Sequence, residues 1–313
     1  MNTPRYHCSL CAALASLSSG SADAPASIGR RRFHRAVLAG AAATALPAAF
    51  AQQDGLREGL GKNSSFTKLV PADELEAAAA KQYAQLIAQA KQKNALAPDS
   101  HPQVQRLRAI AQRMIPYAQP WNGRAKNWRW EVNLLGSSEL NAFCMPGGKI
   151  AFYSGILSKL QLDDDEVATI MGHEVAHALR EHARERIGKS SATSMGLSLG
   201  AQLLGLGSLG DVAANLGTQL LTMKFSRDDE SEADLVGMEL AARSGYDPEA
   251  GVRLWQKMGE ASKGAPPQWL STHPSGGSRI ADIRANLPKV QPIYARAEKP
   301  PKRYEPMAQA AGK

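Results

Sequence analysis

Two histidines four residues apart, with a glutamate beside the first, stand in the run His173-Glu174-Val175-Ala176-His177. On a helix, positions i and i+4 lie about 40° apart around the axis and about 6 Å along it, so both imidazoles can reach one metal ion. Glu174 projects beside them and stays available as a proton acceptor rather than a ligand. Zinc, one ion per chain, is the metal such a motif takes; it needs a third protein ligand and keeps a fourth position for water.

The third ligand has to be found elsewhere in the chain. A metzincin arrangement would place glycine and histidine at fixed offsets downstream, and those positions hold Arg180 and Ala183, which excludes that class. His182 falls one residue out of place, at a charged helix end, and reads as solvated. Glu230-Ser231-Glu232-Ala233-Asp234 puts Glu230 and Asp234 on one face of a second helix. One of these carboxylates can bind the metal while the other fixes a ligand imidazole by a hydrogen bond. Glu232 points away from that face and reads as a surface charge.

The elements that must position these residues follow from periodicity. Apolar residues at three- and four-residue intervals predict helices over Pro71 to Asn94 and His101 to Tyr117. Alternation from Trp128 to Leu135 predicts a half-buried strand. The stretch Leu140 to Tyr153, interrupted by Pro146-Gly147-Gly148, predicts a hairpin, and Ser154 to Leu160 a short helix. Asp163-Asp164-Asp165-Glu166 is placed to cap the helix carrying His173, which is expected to run from Asp164 to Ile187, with Gly172 leaving room beside the metal. Ser190 to Thr222, rich in Leu, Gly and Ala, is expected to form helices covering the core or lining a cleft, with peripheral membrane contact as the alternative. Further helices are expected over Asp228 to Ser244, Pro248 to Gly259 and Ser278 to Leu287. The resulting fold class is α+β: a mainly helical, zincin-like protein with a small sheet beside the zinc helix.

Residues 1–51 read as an export signal. Arg30-Arg31-Arg32-Phe33-His34-Arg35 precedes an Ala-rich run ending in Ala49-Phe50-Ala51, a small-x-small cleavage pattern, and the order resembles a twin-arginine signal. The expected location is therefore the periplasm, with membrane association as a further possibility. These residues carry five arginines against one acid, Asp23, which is half of the chain's net charge of +8, so nucleic-acid binding gains no support. Cys8 and Cys11 fall in the signal, and Cys144 alone remains after cleavage, so the mature chain makes no internal disulfide. Residues 52–70 are expected to be a lead-in loop, 71–290 a single domain, and 291–313 a flexible tail.

Gly172-His173-Glu174-Val175-Ala176-His177, with Phe225-Ser226-Arg227 leading into Glu230 to Asp234, resembles the zinc metallopeptidase family of HtpX and the CAAX prenyl endopeptidases, above all its soluble, exported bacterial branch. Asn141 to Ile150 and Thr272-His273-Pro274 with Arg279-Ile280 fit the same family. The resemblance implies His173, His177 and Glu230 as zinc ligands, Glu174 as catalytic base and Asp234 as support for a ligand. It implies a substrate-binding strand with Asn141, Ala142, Phe143, Gly147 and Gly148 beside the cleft, where an extended chain could pair with its edge. It also brings His273 to the metal, either stabilising an oxyanion or closing the fourth position at rest.

The function expected from this is an endopeptidase acting on unfolded or misassembled envelope proteins. Two competing readings are a periplasmic chaperone or assembly factor that holds extended chains with little proteolysis, and a structural zinc protein, which would need a fourth closed ligand.

Overall fold

The computed structural model describes residues 55–57, 60–61, 63–203, 220–262, 268–273 and 278–309. The export signal read in residues 1–51 lies outside the described residues, as do residues 204–219 of the apolar stretch between Ser190 and Thr222.

The described residues are mostly helical around one small sheet. Helix α1 spans Ala72–Gln92 and α2 spans Pro102–Met114. The strands are β1 (Glu131–Leu135), β2 (Ala142–Met145) and β3 (Lys149–Tyr153), in the spatial order β1-β3-β2. β2 and β3 form the expected antiparallel hairpin, with Cys144 opposite Ile150, while β1 lies parallel to β3, with Val132 opposite Ile150. Gly147 and Gly148 make the turn at φ +83° and +76°, a region open to glycine at little cost. A Cβ on Gly148 would also lie 2.7 Å from the Trp130 ring.

The sheet is buried on both sides rather than half-buried. Val132, Leu134, Ala142, Cys144, Ile150 and Phe152 join the main core, while Leu135, Met145 and Ala151 pack with Ala79 and Tyr83 of α1. The Tyr83 hydroxyl donates to the Ile150 carbonyl at 2.5 Å and accepts from Asn133 at 3.0 Å, fastening α1 to the sheet. β3 thus lies between helical layers, which explains its run of apolar residues.

Helix α3 (Ser154–Lys159) leads into α4 (Asp164–Leu179), α5 (His182–Leu203), α6 (Arg227–Arg243), α7 (Ala250–Ala261), the short α8 (Gln268–Thr272) and α9 (Arg279–Arg296). The acidic run before α4 caps it as expected: Asp163 and Glu166 form a reciprocal capping box. Asp164 does more, forming a buried ion pair with Arg106 of α2 at 2.6 Å. Ser226 and Asp229 cap α6 in the same reciprocal way.

Three expectations are corrected. The zinc helix does not continue to Ile187; it stops at Leu179, Glu181 takes φ +59°, and α5 starts afresh. The lead-in contains a 3-10 turn, Ser65–Leu69, packed against α5. The tail is not free: α9 continues to Arg296 across Pro288 and Pro292, and residues 298–307 lie as a strap. Along that strap, Tyr304 N–H donates to Asp164, Arg303 pairs with Asp165, and the Glu305 and Met307 carbonyls accept from Gln103 and Gln161. Among the described residues no helix is long and apolar enough to cross a membrane.

Candidate metal centre

Two helices bring the motif residues together by approaching at backbone distance. Gly172 of α4 faces Gly237 of α6, and a Cβ on either would meet the other helix's backbone at 2.6 Å. Gly172 therefore makes room for a helix, not for the metal. Side chains one turn from this contact face each other across a narrow gap, which puts His173 and His177 opposite Glu230 and Asp234.

His173, His177, Glu230 and His273 are all buried and offer ligand atoms within 4.8 Å of one another. The two histidine Nε2 atoms of α4 are 3.1 Å apart. His173 Nε2 lies 3.3 Å from His273 Nδ1 and 3.4 Å from Glu230 Oε2, and His273 Nδ1 lies 2.9 Å from Glu230 Oε1. Four N and O ligands at usual zinc bond lengths form a tetrahedron with edges of about 3.3 Å. The donor set fits that shell in chemistry, and its shorter separations, 2.9 to 3.4 Å, are of the same size as those edges. Lone-pair atoms crowded so closely in a buried site call for a cation, and among the described residues Glu230 Oε2 has no hydrogen-bond partner. Arg279 Nη1 is 2.9 Å away from it, near enough for charge attraction but outside hydrogen-bond geometry.

The charges respond to this crowding. Burial alone would lower the His173 pKa, yet the carboxylates of Asp234 and Glu230 outweigh it and raise the value to about 9. His177 is held well below its usual range, first by burial and then by His173, His182 and His273 around it. Burial works against ionisation of Glu230 as well, but His173 and His273 keep its carboxyl well below the ordinary range.

Asp234 stands where a supporting carboxylate should, with Oδ1 3.0 Å from His173 Nδ1. It is itself clamped by Arg279 of α9 through Nε at 2.5 Å and Nη2 at 2.8 Å, and the Arg279 guanidinium lies 3.7 Å above the Trp255 ring. Glu174 is buried beside the cluster, and its Oε1 accepts a hydrogen bond from Trp269 Nε1 at 2.6 Å. Trp269 was not legible as a site residue: a lone tryptophan between masking polar and proline residues carries no periodic signal.

Of the strand residues expected beside the substrate, Asn141, Ala142 and Phe143 line a pocket of about 40 Å³ with Glu174, His177 and His273. Gly147 and Gly148 do not line it, because they form the hairpin turn. Cys144 lines the same pocket, and burial pushes its thiol pKa up, as suits an inert core side chain. His182 and Glu232 are corrected too. His182 is 1% exposed, with Nδ1 2.9 Å from His177 Nδ1, and its Nε2 lies 2.9 Å from Glu232 Oε2.

The pattern of peptidase family M48 matches residues 102–287, more than half of the chain. The mitochondrial metalloendopeptidase OMA1 of Schizosaccharomyces pombe is 33% identical over 197 residues, 62% of this chain and 56% of that protein. Its Arabidopsis thaliana namesake is 37% identical over 150 residues, 48% of this chain and 30% of that one. The beta-barrel assembly-enhancing protease of Escherichia coli is 30% identical over 174 residues, 52% of this chain and 36% of the relative. The matched stretch thus spans between 30% and 56% of the length of these relatives.

Proposed function

The chain belongs to peptidase family M48, and on that premise we propose that it is a zinc-dependent endopeptidase, with His173, His177 and Glu230 as metal ligands and Glu174 as general base. The observation that carries this reading is the convergence of four buried donors with Glu174 directly beside them. When bound by those residues, zinc supplies an acidified water and polarises the scissile carbonyl. Glu174 accepts the proton that water gives up at its carboxylate and returns it to the leaving amine. Trp269 fixes the rotamer of that carboxylate, and Asp234 orients His173 so that Nε2 faces the ligand cluster.

His273 acts in this reading as the fourth donor of a resting state, because its Nδ1 lies within the spacing of the other three. Substrate entry then requires His273 to withdraw; a pocket of about 40 Å³ has room for a water or two, not for a peptide. An extended chain would pair with the outer edge of β2 at Asn141 to Phe143, which no strand covers among the described residues. Backbone pairing is indifferent to most side chains, which favours unfolded or misassembled proteins as substrates. The signal-like residues 1–51 support a periplasmic location, and the printed name of the E. coli relative supports envelope proteins as the substrate class. Peripheral membrane contact finds support in exposed Phe66 and Leu69. A chaperone would use the same edge, and the intact base argues for the enzyme.

Digestion of unfolded casein by the purified chain tests the proposal. Cleavage should stop on chelation and return with added zinc; cleavage unaffected by a chelator that removes the metal would contradict it.

A further inference from the structure

The two ligand histidines of α4 are not supported alike. His173 passes its Nδ1 hydrogen to Asp234, a carboxylate in direct contact, whereas His177 meets a second imidazole. If His177 faces the metal site with Nε2, the atom that lies 3.1 Å from His173 Nε2, its proton sits on Nδ1 and needs an acceptor. His182 Nδ1, 2.9 Å away, is that acceptor. His182 must then carry its own proton on Nε2, where Glu232 Oε2 receives it at 2.9 Å. The other Glu232 oxygen pairs with Arg180 Nη2 at 2.6 Å. Each link determines the next, and the series ends in a fixed charge pair at the partly exposed Glu232.

The backbone is bent to make this contact. Along an unbroken helix, five residues turn the chain by about 500°, so side chains at 177 and 182 would point about 140° apart. The break at Arg180 and Glu181, with Glu181 at φ +59°, turns the chain so that His182 comes back onto His177. A glutamate in the left-handed region costs about 1 kcal/mol, and such strain collects where function over-determines the backbone. Glu181 is held there by Asn63 and Arg184.

We infer that His182 and Glu232 are positioning residues for the metal centre, a histidine-mediated carboxylate support that fixes the tautomer and ring plane of His177. The inference rests on His177 being a metal ligand, as proposed above. It also gives the two α4 ligands unequal support, one carboxylate in contact and one relayed through a ring.

Zinc competition against a chelator of known affinity, on the full purified chain, tests it. His182→Leu, which offers no acceptor, should weaken zinc binding on the order of 10- to 100-fold. His182→Asn, whose Oδ1 replaces Nδ1 as acceptor, should recover most of that loss. Glu232→Ala, at a partly exposed position, should weaken binding by a smaller factor, on the order of threefold to tenfold. With cobalt in place of zinc, both weakening variants should shift the visible absorption bands. Zinc affinity and cobalt bands unchanged in Glu232→Ala and in folded His182→Leu would overturn the inference. A wild-type chain that binds no zinc would instead overturn the metal reading on which it rests.

Discussion

The donors around the metal centre come from two kinds of scaffold. Three of them, His173, His177 and Glu230, sit on α4 and α6, which touch backbone to backbone at Gly172 and Gly237. The fourth, His273, follows the short helix α8, tied down by Trp269 N–H to the Leu140 carbonyl, by the Thr272 carbonyl accepting from Phe225, and by Trp269 Nε1 on Glu174. A backbone contact between long helices leaves its side chains little latitude, while a one-turn helix held by a few hydrogen bonds can shift as a unit. On the proposed reading, three of these donors would stay on the metal and the fourth would exchange. Because His273 directly follows α8, which carries Trp269, any such shift would release Glu174 and open the fourth position together.

The rigid half is where the largest effect is expected. Gly237→Val forces side-chain atoms into the α4 backbone beside His173 and should cost about 3 kcal/mol of stability and abolish stoichiometric zinc binding. Gly259→Ala, on α7 with no described residue within 4 Å of the added Cβ, is the control and should be neutral or slightly stabilising in thermal melts. Equal effects of the two would remove the backbone contact from the account.

For the exchangeable half, His273→Ala should loosen zinc on the order of tenfold yet leave casein turnover intact or raise it, since the position that water needs is vacated. A fall of about a hundredfold in turnover with zinc still bound would instead assign His273 to oxyanion stabilisation. Trp269→Phe removes the hydrogen bond to Glu174 while keeping a ring in the core. A drop of about tenfold in kcat, with KM nearly unchanged, is expected from losing one donor to a charged group.

Acid-base behaviour should separate the halves most gently. In metal-free protein the His173 pKa stands at about 9, above its ordinary value of 6.5. A raised folded-state pKa contributes stability that is fully present below about 6.5. That contribution is lost as pH rises through about 9. The melting temperature of chelator-treated protein should therefore fall by a few degrees between pH 6 and 9.5, and Asp234→Asn should flatten that slope. A melting temperature that rises across the same range would contradict the assignment of Asp234 and Glu230 as the groups that hold the proton.

Much of this was legible in the residues. The motif on α4, the Glu230 and Asp234 face of α6, the capping box at Asp163 and the hairpin all rest on local spacing, and spacing of that kind survives folding. What escaped depended on one residue's conformation or on contacts between distant segments. His182 looked solvated because helical periodicity carries it away from His177; only the left-handed turn at Glu181 brings it back. Glu232 looked like a surface charge because its partner was that misplaced histidine. Gly172 looked like space for a metal because its true neighbour, Gly237, is remote in sequence. The tail looked flexible because Pro and Lys suggest disorder, while the carboxylates that hold it, Asp164 and Asp165, had already been given a role as caps.

Glu174 joins the two halves, standing on the long helix α4 and held by Trp269 from the short helix α8. Replacing it with glutamine keeps its size and removes its basicity, so the central measurement is metal content and unfolded-casein turnover of wild type and Glu174→Gln side by side. The account predicts one zinc per chain in both proteins and turnover reduced by about 10² or more in the variant. Full turnover by a zinc-loaded Glu174→Gln protein would contradict it.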